Sequence, residues 1–441
     1  MTRSAPLVAV MERLRRDGHK EAEVYAKKGR SRSVRYSPRS ITTSFHEEAG
    51  WAVRAGDERR SFFHAQVGVP SPDIAWPEAD GEGLRLPPAR LVPEWHPPPD
   101  LEAPLMGEGE AIALFEGIGR ELHEELQEDL PGAQLIFGQL DDGSSEAEIL
   151  SSREVAATTR QRTAVLYLEA AAGKGRRHLV HLRLAAREGR HFQPLALARR
   201  LADRLLIAAK GGTPSRDRGE LLLAPPVGAA ILDALAPLWQ GPAGESLVAD
   251  LTDRRGRLAS PILTLIDNGR LPGGIMEAPV DGEGQPTRPV TLIDHGVFRQ
   301  PLLTWYEAGA TGANRASGCM QRAGWRDLPQ AGPTHLYLQP DPTTSVASLV
   351  ENLQRGYYLL DVEGAARLEN GGRRFAVPVC GFAMENGRPG GTVTRTWLTG
   401  SVSSFLNGIQ AIARDLTFVP TSRGLVGAPT LLGRGLEIRQ N

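Results

Sequence analysis

Histidine and acidic residues at close spacing are what a hydrolytic metal centre needs, and in this chain they are scattered. Of the 10 histidines, only His178 and His181 are close enough in sequence to share a metal ion. They lie in RRHLVHL, which alternates like a strand, so residues three apart face opposite sides of it. His123-Glu124 begins like the zinc motif His-Glu-x-x-His, but Gln127 stands in place of the second histidine. The sequence therefore predicts no metal site in this chain.

Arrangements that would activate a nucleophile are also incomplete. The segment at 400–404, GSVSS, is similar to the turn that presents a catalytic serine, but it lacks the closing glycine. Ser401 fits the N-cap of a following helix better, because its hydroxyl can accept from an exposed backbone amide. The 2 cysteines, Cys319 and Cys380, stand far apart, which favours a reducing cytoplasm without disulfides.

The densest group of charged and turn-forming residues is DGEGQPTRPVTLID at 281–294. Its glycines and prolines predict a loop, which leads into a short strand at 290–293 and a second turn at 294–296. We expect residues 302–306 on the far side of this hairpin, and we expect the acidic loop itself to be a solvated turn. The candidate contacts to a substrate or partner are Asp281, Glu283, Arg288, His295, Trp305 and Tyr306.

The bulk properties exclude several classes of protein. The chain has 441 residues, enough for two domains, and its 51 basic and 52 acidic residues leave a formal charge of −1. With so little net charge, no global field attracts nucleic acid or an anionic membrane. No apolar run approaches the roughly 18–20 residues that span a bilayer.

The hydrophobic pattern predicts an α+β fold in two domains. An N-terminal α/β domain with a mainly antiparallel sheet covers 1–215, ends in a glycine-rich boundary at 211–215, and includes a proline-rich loop at 67–106. Its predicted helices are 6–18, 107–130 and 194–210, and its strands are short, among them 33–36, 41–45, 50–55, 133–137, 146–152 and 163–170. A β-rich C-terminal domain covers 216–441, with a curled or barrel-like, largely antiparallel sheet. Its predicted helices are 227–240, 345–356 and 401–415.

The loop at 281–288 also carries a resemblance. It matches the pattern D-x-E-G-x-P-T-R, and the hairpin after it matches L-I-x-x-G-V, which together resemble the core of the TldD/PmbA family. Further segments similar to that family follow in order at 21–29, 47–54, 60–63, 311–315, 336–340, 356–359, 374–381 and 385–387. The resemblance spans nearly the whole chain, from Glu21 to Leu432.

The resemblance also implies which of the family's two kinds of subunit this is. In the metal-bearing kind, a helix carries His-Glu-x-x-x-His and a C-terminal cysteine completes a zinc-type site. Here the corresponding stretch places Leu232 and Pro237 at the histidine positions and Asp233 at the glutamate position. Leucine has no donor for a metal, proline ends the helix, and 418–433 contains no cysteine. The resemblance thus implies the PmbA/TldE type, with no cofactor in this chain and a zinc-type metal in its partner.

What the resemblance implies for function is a cytoplasmic heterodimer. This chain would be its non-catalytic subunit, and a TldD-type subunit would cleave unfolded or modified peptides in an enclosed chamber. The chain would complete that chamber and hold the peptide backbone by strand addition. Two alternatives stay open: a stand-alone homodimeric peptide-binding module, and a hydrolase with a non-metal chemistry around Asp233 or Cys319.

Overall fold

A computed structural model describes residues 4–173, 178–210, 219–310, 317–421 and 424–440. It confirms the α+β class, with one sheet in the N-terminal half and further sheets in the C-terminal half. The glycine-rich boundary predicted at 211–215 lies outside the described residues. No helix in the described part of the chain is long and apolar enough to cross a membrane.

The N-terminal half is a seven-stranded antiparallel sheet with helices packed on one face. The strands are β1 Glu21–Ser37, β2 Ser40–Gly56, β3 Arg60–Val67, β4 Gly81–Glu82, β5 Gln134–Ser151, β6 Ala156–Ala172 and β7 His178–Ala186, in the order β4-β3-β2-β1-β5-β6-β7. The helices are α1 Ala5–Arg16, α2 Glu108–Leu126 and α3 Pro194–Lys210, the last with the predicted bounds. Apolar residues at helical spacing in α2, such as Leu114, Phe115 and Ile118, are buried in one core with the inward residues of β5 and β6.

This half departs from the prediction of many short strands. β1 and β2 are single strands of 17 residues each, and β5 and β6 are equally continuous, at 18 and 17 residues. The alternation of apolar and polar residues breaks down along them, because parts of the sheet lack an apolar cover on either face. In β2, every residue from Ser40 to Ala49 is exposed. Apart from β4 and a short 3₁₀ turn at Pro99–Glu102, the proline-rich stretch at 67–106 is irregular, as predicted.

The C-terminal half contains two large sheets, of six and eight strands, and a separate two-stranded ribbon. Its strands are β8 Glu220–Leu223, β9 Leu265–Asn268, β10 Pro289–Asp294, β11 Val297–Phe298, β12 Met320–Gln321, β13 Gln330–Ala331, β14 His335–Leu338, β15 Arg355–Val362, β16 Arg367–Glu369, β17 Arg374–Glu385, β18 Arg388–Ser401, β19 Ile409–Ile412, β20 Thr417–Pro420, β21 Leu425–Ala428, β22 Leu431–Gly433 and β23 Glu437–Gln440. The pairing is mostly antiparallel, but β14 runs parallel to β21 and β15 parallel to β8. Both sheets are open at their ends in the described residues.

The described residues of this half also form five α-helices: α4 Pro225–Leu235, α5 Gly241–Leu251, α6 Trp305–Ala310, α7 Val346–Asn352 and α8 Val402–Gly408. Ser401 caps α8 as predicted, since its hydroxyl accepts from the amide of Ser404 at 2.9 Å. The helix predicted to reach 415 stops at Gly408, where the backbone of Arg434 is too close for any side chain. The helix predicted at 345–356 ends at Asn352, because the chain then enters β15.

The hairpin after the acidic loop is also shorter than predicted. Its second strand, β11, has two residues, and Trp305 and Tyr306 open helix α6 instead of extending the strand. The reason is a capping box: the Glu307 amide donates to Thr304 Oγ1 at 3.0 Å, and the Thr304 amide donates to the Glu307 carboxylate at 2.9 Å. The Thr-x-x-Glu signal for this helix is present in the sequence and was missed.

Candidate functional site

Helix α4, which the resemblance aligns with a metal-binding helix, consists mainly of apolar residues. Leu232 is completely buried in the largest core cluster of the C-terminal half, and Pro237 lies in the 3₁₀ turn that follows the helix. Asp233 is half-buried, and its Oδ1 has no hydrogen-bond partner among the described residues. A hydrocarbon and a pyrrolidine ring offer no lone pair, so the residues at these positions do not fit a metal ion.

The acidic loop is buried, which corrects the prediction of a solvated turn. Asp281 and Glu283 have relative exposures of only 8% and 7%. Asp281 Oδ1 accepts from the amides of Glu283 and Gln285, both at 2.9 Å, and Oδ2 accepts from the Met320 amide at 3.1 Å. One carboxylate therefore fixes the shape of its own loop and joins it to strand β12.

This loop also binds the N-terminal sheet through buried charges. Arg54 on β2 bonds to the Glu283 carboxylate at 2.7 Å and to both carboxylate oxygens of Glu23 on β1 at 2.9 Å. Arg322, which follows β12, bonds to the same Glu23 and to the carbonyl of Gly282. We call Glu23, Arg54, Glu283 and Arg322 the junction network. Its two acids and two arginines neutralise one another where the halves meet.

The pKa values of two buried acids at this junction are shifted in opposite directions. For Asp281, burial and the neighbouring Glu283 raise the pKa to about 7, against the effect of its three amide bonds. For Glu23, burial alone would raise the pKa, but Arg322 and Arg54 outweigh it and hold the pKa below its ordinary value. The glutamate is thus a stable anion, whereas Asp281 can hold a proton near neutral pH.

Next to the network, an open cleft runs between the two halves. It has a volume of about 540 Å³ and continues into a smaller cavity of about 110 Å³ that reaches Asp281. The sheet contributes Lys27 of β1, alternate residues of β6 and Arg183 of β7, and loops of the C-terminal half form the opposite wall. The side chains that line it with amide or hydroxyl groups are Gln161, Thr163, Gln240, Gln321, Gln330 and Thr421. Such groups bind the amides and carbonyls of another chain but transfer no proton at neutral pH.

The loop wall of the cleft is held by a neutral histidine. His335 Nδ1 lies 2.9 Å from the carbonyl of Asn268, and Nε2 accepts from the amide of Met276, which lines the cleft. This pair of bonds places the ring proton on Nδ1. Burial lowers the pKa of His335 to about 4, so the ring stays neutral near pH 7. Arg187, after β7, donates to the carbonyl of Gly274 at 2.8 Å and fixes the same loop from the N-terminal side.

The other predicted contact residues do not gather at one site. Arg288 is half-buried, and burial lowers the pKa of its guanidinium. His295 is exposed at the hairpin turn with φ +47°, Tyr306 is 61% exposed, and Trp305 is half-buried beside it. Of the six candidates, only Asp281 lines the cleft or its inner cavity.

Cys319 lies beside the junction but is not in the cleft. Its side chain is buried, and burial raises the pKa of its thiol well above the ordinary value, with Asp267 and Asp281 adding to the effect. A thiol that keeps its proton is a poor nucleophile. This environment does not favour chemistry at Cys319.

Sequence reasoning missed three members of the junction network as site residues: Glu23, Arg54 and Arg322. Glu23 sits between buried neighbours in a strand. Whether a charged residue at such a position is buried can be predicted only if its ion-pair partners are known. Those partners are 31 and 299 positions away along the chain. The usable signal was that Arg54 and Glu283 both lie in segments resembling the same family.

Comparisons with known proteins agree with this architecture. The model of the PmbA/TldA metallopeptidase C-terminal domain matches residues 217–440. An uncharacterized protein from Methanocaldococcus jannaschii is 26% identical over 153 residues, a match that spans only 34% of either chain. The family match covers half of the sequence, and the chain belongs to the TldD/PmbA family.

Solved structures extend the likeness over the whole chain. TldE from Thermococcus kodakarensis superposes with a TM-score of 0.82 at 19% identity, covering 99% of this chain and 100% of that one. A Thermotoga maritima protein solved as a candidate modulator of a DNA gyrase gives a TM-score of 0.80 at 16% identity, covering 97% of this chain and 98% of that one. At these identities, the likeness is one of fold.

Proposed function

We propose that this chain is the metal-free, non-catalytic subunit of a cytoplasmic TldD/TldE-type heterodimeric metallopeptidase acting on unfolded or modified peptides. The main support for this proposal is the residue composition of helix α4 and of the turn that follows it. This chain belongs to a metallopeptidase family, yet a buried leucine and a proline stand at the two positions where the resemblance puts histidines. Peptide hydrolysis by metal-activated water then needs a metal from another subunit, for which the resemblance suggests a zinc-type ion.

The cleft supports a role in holding the substrate. Gln161, Thr163 and Val165 line it at alternate positions of one strand, so they mark out a straight path of about 13 Å. That length suits about four residues of an extended chain, and amide side chains pair with backbone groups whatever the substrate's sequence. A folded protein does not present such a segment, which fits a preference for unfolded peptides.

The surface for the metal-bearing subunit is proposed on the C-terminal half. Tyr306 projects from helix α6 with most of its ring exposed, beside the half-buried Trp305. Aromatic side chains of this kind are common anchors at the centre of protein interfaces. A non-metal hydrolase around Asp233 or Cys319 has less support, because neither residue lines the cleft.

The test is co-expression with the family member that carries His-Glu-x-x-x-His in the matching helix. The proposal expects a one-to-one complex that hydrolyses an unstructured peptide, loses activity with a chelator and regains it with zinc. Each chain alone should be inactive or nearly so. Tyr306→Ala should weaken the complex, and the control Leu179→Ala, at a side chain of similar exposure in the N-terminal half, should leave it intact. Hydrolysis by this chain alone, or the absence of any complex, would refute the proposal.

A further inference from the structure

Strand β2 has an outer edge that is unpaired over its first half. β3 pairs with Gly50–Gly56 only, and beyond that the Gly68 amide bonds to the Ala49 carbonyl at 2.9 Å. All residues from Ser40 to Ala49 are exposed, although β1 pairs with them along their inner edge. No strand of the described residues lies against this outer edge. Unpaired edges of this length are sites where another chain can add a strand.

The backbone groups that this edge presents can be identified. Because the Ala49 carbonyl points outward to Gly68, and alternate residues of a strand point their amide and carbonyl to the same side, the outward groups belong to residues 41, 43, 45 and 47. Two of these residues, Ile41 and Phe45, are large apolar side chains with relative exposures of 42% and 53%. Arg39 lies in the turn just before the edge and Glu47 lies near its other end, and neither forms an ion pair with another described residue.

We propose that this edge pairs with the same edge of a second copy of the chain, antiparallel and around a two-fold axis at Thr43. A two-fold axis between antiparallel strands must relate residues that face the same side of the sheet. With Thr43 opposite itself, Ile41 comes opposite Phe45 and Arg39 opposite Glu47, each twice. Apolar pairs and opposite charges are the cross-strand neighbours that stabilise a sheet. Moving the axis to Ser44 instead would place Ile41 opposite Glu47.

The length of the edge fits the same register. The copy's hairpin would end with Pro38 opposite Glu48, just before Gly50, where β3 begins to pair. The two seven-stranded sheets would then continue into one another through the tips of their β1–β2 hairpins. An interface of one strand edge is small, so we expect a weak dimer that dissociates on dilution.

This pairing is independent of the proposed function. It uses the N-terminal sheet and leaves helix α6 and the C-terminal half free for a metal-bearing subunit. A failure of the homodimer would leave the peptidase assay unaffected, and a failure of the peptidase assay would leave the homodimer intact.

Disulfide trapping tests the register directly. Residues directly opposite in an antiparallel pair have Cα atoms about 5.5 Å apart, within disulfide range, whereas the two copies of Ser44 would be about 8 Å apart. Under mild oxidation, Thr43→Cys should give at least about tenfold more covalent dimer than Ser44→Cys. The parent chain, with Cys319 and Cys380 only, sets the background.

A charge exchange tests the same pairing without cysteine. Arg39→Glu should increase the dissociation constant of the dimer measured by sedimentation, and Arg39→Glu combined with Glu47→Arg should restore it. Failure of Thr43→Cys to exceed the parent chain overturns the proposal. So does trapping at Ser44 instead, trapping only with the metal-bearing subunit, or a parent chain that stays monomeric at high concentration.

Discussion

Helix α4 and the loop at 281–285 lie in the same half of the molecule, but one is packed with apolar side chains and the other with charges. Leu232 of α4 is completely buried in an apolar core cluster. Asp281 and Glu283 are almost as buried, yet their carboxylates accept four hydrogen bonds, three from backbone amides and one from the guanidinium of Arg54. Buried charge in this half therefore serves to join the two halves of the chain, whereas the interior of α4 serves packing alone.

The largest expected effect comes from removing one charge of the junction network. Arg54→Met leaves Glu283 without its ion-pair partner and Glu23 with Arg322 alone, so we expect a loss of about 3–5 kcal/mol in the free energy of unfolding. Denaturant unfolding measures it. The matched control is Arg373→Met, in an exposed pair with Asp250, which should change stability by less than about 0.5 kcal/mol. Equal effects of the two variants would show that the junction network does not hold the halves together.

Helix α4 should respond to lost volume. Leu232→Ala removes buried methyl groups from the core and leaves a cavity, which costs about 2–5 kcal/mol in the free energy of unfolding. Leu232→Met, which keeps the volume, should cost less than about 1.5 kcal/mol. A Leu232→Ala chain as stable as the parent would mean that α4 is not packed as described.

The junction should also show a distinctive pH dependence. Asp281 has a pKa of about 7 in the folded chain against an ordinary 3.8, so between these values the folded chain holds a proton that the unfolded chain has released. Its contribution to stability is therefore full below pH 3.8 and is lost as the pH rises through 7. The free energy of unfolding of the parent, minus that of Asp281→Asn, should fall across this window.

The contribution of His335 to stability changes with pH in the opposite direction, and the comparison of the two chains removes it. Its pKa is about 4 when folded against 6.5, so it contributes stability that grows as the pH rises between these values. Because both chains of the comparison contain His335, its contribution cancels in the difference. A difference that stays constant from pH 4 to 7 would contradict the protonation assigned to Asp281.

The smallest effect is expected at Asp233. Its Oδ1 accepts no hydrogen bond among the described residues, so Asp233→Asn should change the free energy of unfolding by less than about 1 kcal/mol and the activity of the complex only a few-fold. Asp142→Asn is the contrasting control, because that carboxylate pairs with the buried Arg162 and should be strongly destabilising. If the Asp233 variant formed an intact complex with about a hundredfold lower activity, Asp233 would be a catalytic acid or base.

The elements that could be predicted are those whose signals are local. The apolar spacing of α3 and the serine before α8 depend on a few adjacent residues, and both predictions are confirmed. The long hairpins could not be predicted, because β2 has no buried face from Ser40 to Ala49 and so no alternation to detect. The junction network could not be predicted either, because its ion pairs join residues up to 299 positions apart.

Metal analysis distinguishes a metal held by this chain from one held by a partner subunit. The chain should be purified alone and in complex, incubated with zinc, passed through a desalting column and measured by inductively coupled plasma mass spectrometry. We expect far less than about one zinc or iron per molecule of this chain alone and about one per heterodimer. About one tightly held metal per molecule of this chain alone would show that the chain is itself a metal-bearing subunit.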